Sequence, residues 1–399
     1  MKTINLKSKY LYLILFSNFL CCLFICLSKE HLNKDELKLS ILTVIILFLV
    51  EEIIYILFYF YTNFIYKKVK IKSIKINYKF MNYFIFFVLL ENFLFSYFFN
   101  IGKSVNSIPF KYGFLYSMFP INSLFLIYFS LTKKINKFIF INLILYISYS
   151  FYLGWSGVVV PIFFMILEKN YRNNRVKNII RKNIFIIFLV LGPFLYKILS
   201  SIKFYIRFNY FSFSFSYMNS LIKMINRFSS FQIIPYILEN IEIIDNIMKK
   251  IGYYDYLFRS ILLIVPKQIF NIDYDPNNYL NKKIVTDLIE PLDKYTSLEV
   301  EFLGNVLAYG YNSFIYVIYI ILLITSLIML AKKLGVSNWY ILFLILSFLR
   351  VGDVGSLIFP IYGISLCIIL NIITRKTGNY FIKKRDLINK LNVCENLDL

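Results

Sequence analysis

Four cations stand out in an otherwise apolar sequence. Arg207, Arg227, Arg259 and Lys267 each fall beside aromatic or apolar residues within one stretch, residues 200–304. A guanidinium is planar and presents a fixed fork of N–H donors, so it grips phosphate or pyrophosphate oxygens two at a time. A ligand arriving along a membrane with such a headgroup needs groups of this kind near the interface. The competing reading is that each cation snorkels or pairs with a surface carboxylate, and for any single residue both readings stay open. Arg350 and Asp353, in FLRVGDVG, form a second group at the edge of an apolar run. Ionisable groups in such runs cost roughly 2.5–3.5 kcal/mol on insertion scales and so have partners or functions. Being three apart, these two can also pair with each other. Glu51, Glu52 and Glu91 lie inside apolar runs, where they can face an interior polar path. Glu299 and Glu301 precede such a run, where the dipole of a helix N-terminus by itself favours a carboxylate.

Histidine and cysteine add little. The one histidine, His31, sits in the charged stretch SKEHLNKDELK and reads as a solvated residue. Cys21, Cys22, Cys26 and Cys367 lie in apolar runs and Cys394 in a basic tail. No disulfide framework is therefore expected in residues 200–304, and no zinc-like spacing occurs.

The elements that must position these residues are spanning helices. The chain has 399 residues, 59% of them hydrophobic, with a mean hydropathy of +0.66. Its apolar runs repeatedly reach the roughly 18 residues that match the hydrocarbon thickness. Aromatics make up 20%, but Ile, Asn and Lys are abundant too, which indicates a general compositional bias. The first run, YLYLILFSNFLCCLFICL, is long enough to span and lacks a small-x-small cleavage pattern, so it is expected to be a helix and not a removed leader.

Lys and Arg near spanning segments are retained in the cytoplasm, and here they cluster between alternate runs. That alternation predicts an all-α polytopic fold with about ten transmembrane helices, within a range of nine to twelve, and both termini cytoplasmic. The helices are expected near 10–27, 39–61, 80–99, 113–131, 138–153, 156–168, 184–200 and 306–330, with two more dividing 338–373 around RVGDVG. The organisation is then residues 1–199 with seven spans, a large extracytoplasmic loop 200–304, residues 305–373 with three spans, and a basic cytoplasmic tail 374–399.

The loop is electrically balanced: it holds 11 Lys and Arg and 11 Asp and Glu, so the whole formal net charge of +22 lies elsewhere. Retention of basic flanks explains that distribution better than nucleic-acid binding, which is not expected. A connection of this length is functional or disordered. Order is expected, because Leu221, Ile222, Ile225, Ile237, Ile241, Ile244, Ile247 and Met248 recur at helical spacing, suited to amphipathic helices on the membrane face. In SILLIVPKQIFNIDYDPNNY, Pro266 ends an apolar stretch and DYDPNN makes a turn.

Five segments, in order, carry a resemblance: YLGWSGVVVPIFFMIL before a basic loop, NRFSSFQIIPYI, the Phe-Arg-X4-Ile-X-Pro-Lys pattern of LFRSILLIVPKQIFNIDYDPNN, SLEVEFLGNVLAYGYNSFIYV, and FLRVGD. Over about residues 150–355 the chain resembles the Wzy-type O-antigen or oligosaccharide repeat-unit polymerases. The resemblance implies a metal-independent membrane glycosyltransferase of the bacterial inner membrane with a large periplasmic loop. It would join undecaprenyl-pyrophosphate-linked oligosaccharides, with membrane lipids and a chain-length regulator protein as further partners and no cofactor. Arg227 and Arg259 would then stabilise the departing lipid pyrophosphate, and Glu299 or Glu301 would act as base for the acceptor hydroxyl. Arg207, Lys267, Arg350 and Asp353 would bind the pyrophosphate or glycan. Related O-antigen ligases have a histidine in the large loop, and this loop has none. A lipid-linked oligosaccharide flippase is the main rival, although short loops and two related halves would be expected of it.

Overall fold

The computed structural model describes residues 6–30, 36–99, 118–132, 135–170, 174–208, 211, 213–229, 231–253, 257, 261 and 300–395. Among them the fold is all-α, with a single isolated bridge between Glu30 and Glu36. In chain order the helices are α1 (Leu6–Ser28), α2 (Ile41–Lys68), α3 (Tyr78–Phe99), α4 (Ile121–Leu131), α5 (Lys137–Tyr152), α6 (Val159–Asn170) and α7 (Asn174–Phe208). They continue as α8 (Tyr217–Phe228), α9 (Ile233–Glu239), α10 (Ile241–Ile251), α11 (Phe302–Tyr309), α12 (Ser313–Leu334), α13 (Asn338–Val351) and α14 (Gly355–Glu395).

Among the described residues, six segments are long and apolar enough to cross a membrane: Lys9–Ser28, Ile41–Lys68, Tyr78–Phe99, Leu189–Ile206, Phe302–Leu334 and Gly355–Arg375. Helices α4, α5 and α13 are apolar but shorter. The chain is thus an α-helical, multi-pass membrane protein. The expected break around RVGDVG falls where α13 gives way to α14, whereas the single helix expected near 306–330 is divided by a short 3-10 turn, Gly310–Asn312, that separates α11 from α12. Elsewhere, helices outrun their apolar cores. The basic segment before residue 184 continues as the first turns of α7, and the basic tail continues α14. Lys and Arg are good helix formers, so hydropathy marks the apolar part of a helix and not its end.

Helix α2 shows how a spanning helix sorts its faces. Ile46, Leu49, Ile53, Leu57, Phe60 and Phe64 recur every three or four residues and are exposed, a stripe suited to lipid. Val44, Leu47, Glu51, Tyr55 and Thr62 form the opposite, buried stripe. The exposed stripe is wholly apolar, so Glu51, Tyr55 and Thr62 on the buried one stand out. Helix α13 differs: ten of its 14 residues are buried, so it is a core helix enclosed by its neighbours. At 14 residues it is only about 21 Å long, against roughly 30 Å of hydrocarbon. Its end, with Arg350, therefore stops short of a full crossing.

The two ends of the bundle are built differently. At the basic end, the chain between α2 and α3 runs across the end of α12 and the middle of α14. Ile74 N donates to Lys333 O at 2.9 Å, Asn77 N to Asn371 Oδ1 at 2.8 Å and Asn371 Nδ2 to Lys75 O at 2.8 Å. The opposite end is capped by α8–α10, of which α8 and α10 are amphipathic as their spacing predicts and α9 is buried along most of its length. They pack into the bundle: Met224, Ile225, Phe231, Ile233, Ile234, Ile237, Ile244 and Met248 are all buried. Glu239 Oε1 accepts the N–H groups of Lys38 at 2.7 Å and Leu39 at 2.9 Å, fixing α9 to the start of α2. Interhelical hydrogen bonds of the kind that join membrane helices also tie α3, α4 and α5 together. Tyr128 Oη donates to Asn82 Oδ1 at 2.7 Å, and Tyr146 Oη to Asn122 Oδ1 at 3.2 Å.

Candidate functional site

The buried polar residues of α1, α2 and α11 meet beneath the cap helices. Phe302, the first residue of α11, sets the geometry: its ring lies 5.3 Å from Phe58 of α2, 5.7 Å from Tyr316 of α12 and 6.1 Å from Phe348 of α13. This anchor brings the preceding residue, Glu301, against α2. Glu301 is 1% exposed and Glu51 2%, and their carboxyl groups are in side-chain contact. Asn18 of α1 donates through Nδ2 to Glu51 Oε1 at 3.3 Å and to Glu52 Oε1 at 3.1 Å. The Tyr55 hydroxyl, one turn along α2 from Glu51, feels the charge of both Glu301 and Glu51. Glu52 is half-buried, so the cluster runs from the helix surface inward to Glu301.

Glu301 sits before α11 without using its side chain to cap that helix. Its backbone, at φ 60° and ψ 164°, occupies a region that is essentially reserved for glycine and costs about 1–3 kcal/mol. The carboxylate thus stands at the N-terminus of α11, where the dipole favours it, but it is buried and makes no capping hydrogen bond. Strain of this kind persists only where surrounding contacts enforce it. Asn305 supplies two of them, donating through Nδ2 to Glu301 O at 2.9 Å and to Gly352 O at 3.0 Å. Gly352 has φ +70°, and a Cβ there would lie 2.5 Å from Asn305 Nδ2 and from Glu301 O. The strained residue and the turn after α13 are thus locked backbone to backbone.

That turn carries two further residues singled out by sequence. Arg350 is half-buried in the last turn of α13 and acts electrostatically on the hydroxyls of Tyr10 and Tyr55. Asp353 accepts from Gly355 N through Oδ1 at 3.0 Å, which places it as the cap of α14. Arg227 lies on the last turn of α8, two residues before Ser229. Ser229 is fully buried and touches Cys21, as does Gln232, so the turn between α8 and α9 covers the glutamate cluster. The backbones of Arg207 and Arg227 lie in α7 and α8, while their side chains fall outside the described residues. Arg259, Lys267, Pro266 and Glu299 lie outside the described residues altogether.

The structure therefore joins Glu301 to Glu51 and places Arg350 within electrostatic range of Tyr55. Glu91 is half-buried on α3, whereas its neighbour Asn92 is fully buried. Asn18, Tyr55 and Asn305 gave no sequence signal beyond being polar in or beside apolar runs. For Tyr55, its i, i+4 spacing from Glu51 was the one usable hint. Among the described residues no group of three or more His, Cys, Asp or Glu is placed to hold a metal ion. What the arrangement offers is a carboxyl pair, a phenol and an amide in a dry setting, with a guanidinium alongside. No protein-family model, no curated protein and no solved structure matches the chain.

Proposed function

We propose that the chain is a polysaccharide polymerase of a bacterial inner membrane, joining oligosaccharide repeat units carried on undecaprenyl pyrophosphate. In this reading the protein has about ten spans, its termini and basic end face the cytoplasm, and the end carrying α8–α10 faces the periplasm. The observation that carries it is the junction at Glu301: a buried carboxylate on strained backbone, tied through Asn305 to the turn after Arg350. Both residues belong to segments that resemble the repeat-unit polymerases. The charge-balanced stretch 200–304 supports the orientation.

The reaction would proceed by direct displacement. The acceptor hydroxyl gives its proton to the Glu301 carboxylate as its oxygen bonds to the anomeric carbon of the donor. The bond from that carbon to the pyrophosphate oxygen breaks, and the electron pair leaves with the lipid pyrophosphate. Arg227 and Arg259, with Arg207, Lys267 and Arg350 as further contacts, stabilise the charge that grows on the leaving group. Asp353 caps the helix that follows Arg350, and so its part is to hold that turn in place.

Gel analysis of surface glycan tests this. A strain lacking the chain should show a single core-plus-one-unit band. Wild type should restore the long ladder, and Glu301→Gln or Arg227→Ala should not. A full ladder in the deletion strain or in Glu301→Gln would overturn the reading, and a first repeat stranded on the cytoplasmic face would point to a flippase.

A further inference from the structure

Beside the carboxyl pair, hydrogen-bonding capacity is left unused in a matched way. The Tyr55 hydroxyl is 1% exposed and has no hydrogen-bond partner among the described residues. Apart from the Glu301 carboxyl that Glu51 touches, Glu51 Oε2, on the same buried stripe one turn away, has no donor, and neither does Asn18 Oδ1. Buried polar atoms without partners are costly, so three on neighbouring residues, Glu51 and Tyr55 one turn apart on one stripe and Asn18 bonded to Glu51, call for an occupant. A phenol needs an acceptor, and a carboxylate oxygen and an amide oxygen need donors. A single hydroxyl group accepts one hydrogen bond and donates another, so it answers the phenol and the carboxylate together. A second carboxylate or a phosphate would meet the charge of Glu51 and Glu301, and an apolar group would leave all three unpaired. From these facts we infer that Glu51 and Tyr55, with Asn18 beside them, form a binding site for one hydroxyl group. The hydroxyl accepts from Tyr55 Oη and donates to the carboxyl pair.

The route to the site is polar. Glu52 is half-buried and shares the Asn18 amide with Glu51, so a hydroxylated ligand finds carboxyl and amide groups from the helix surface inward. If the chain is the polymerase proposed above, on which this assignment of the ligand rests, the occupant is the acceptor hydroxyl of a repeat unit. Water offers the same chemistry and would lead to hydrolysis of the donor.

The test uses full-length protein in lipid nanodiscs. The probe is the fluorophore-tagged, lipid-linked single repeat that accumulates in the deletion strain. Tyr55→Phe and Glu51→Gln are close in shape to the native residues, and matching melting midpoints would confirm that both variants fold. A sugar hydroxyl predicts that Tyr55→Phe weakens probe binding and raises the acceptor KM about tenfold, the effect of one lost hydrogen bond, while donor hydrolysis stays unchanged. A water site predicts the reverse: slower hydrolysis with an unchanged acceptor KM. Both outcomes support a hydroxyl site and identify its source. Wild-type binding, transfer and hydrolysis in both variants would overturn it while leaving the polymerase reading intact. Probe binding weakened by both variants, in a wild-type protein that makes no polymer, would keep the site and reject the polymerase.

Discussion

Asn305 and Gly352, 47 positions apart, are joined by a buried 3.0 Å hydrogen bond from the Asn305 amide to the Gly352 carbonyl. The same amide nitrogen holds Glu301 O at 2.9 Å, so one side chain fixes the spacing between the carboxylate before α11 and the turn after Arg350. Asn305→Ala should strip a donor from two buried carbonyls and destabilise the protein by about 1–3 kcal/mol. Gly352→Ala should do similar damage from the other side, because its methyl would collide with that amide and with Glu301 O. Melting midpoints in detergent measure both.

Replacing Glu301 separates backbone strain from chemistry. Alanine and glycine both lack the carboxyl group, but only glycine is at ease at φ 60°, ψ 164°. Glu301→Gly should therefore be the more stable variant by about 1–3 kcal/mol, the reverse of the usual order of these residues in folded helices. Polymer formation should be lost in both. Equal melting midpoints would show that the strain is relieved by other means.

Lys332 closes the end of α2 from a distance. Its Nζ donates to Tyr66 O at 2.5 Å and to Val69 O and lies 4.9 Å from the Tyr66 ring centre. Charged hydrogen bonds to helix-terminal carbonyls contribute about 1.5–3 kcal/mol, so Lys332→Met should lower stability by that order. Its exposed neighbour is the control, and Lys333→Met should stay within about 0.5 kcal/mol of wild type.

The cap helices should respond to pH at both extremes. Lys249 Nζ lies 2.6 Å from Asp245 Oδ2, and Tyr253 Oη donates to Oδ1 at 2.5 Å. The lysine hydrogen bond first, and the phenol second, hold the Asp245 carboxyl below its ordinary 3.8. Burial, with the Asp245 carboxylate alongside, pushes the Tyr253 phenol up from 10.0 to about 12. A depressed acid stabilises above its unfolded value, and that contribution fades as pH falls through the lower folded value. A raised phenol stabilises below about 10, and that contribution is lost as pH rises through about 12. Hydrogen-exchange protection of residues 241–253 should therefore fall below pH 3.8 and again above 10. Asp245→Asn should flatten the acid limb.

The amino-acid sequence by itself determined the class of this protein, because the cost of placing polar backbone and side chains in hydrocarbon is local. Runs of apolar residues announce the spans whatever their neighbours are. It also determined the amphipathic character of α8 and α10, since a repeat such as Ile241, Ile244 and Met248 needs no partner to be seen. The sequence likewise offered Glu51, Glu301 and Arg350 as charges that require an explanation. Only the tertiary structure decided which of them meet. Glu51 and Glu301 are 250 positions apart, and their contact arises because Phe302 wedges between α2, α12 and α13. The same packing forces Glu301 into a glycine-like conformation that no residue preference would suggest. It also lets the short α13 live inside the bundle, sheltered on every side by helices that themselves face lipid. Hydropathy is a property of segments, whereas a site is made of distances between segments, and those are fixed by how side chains pack.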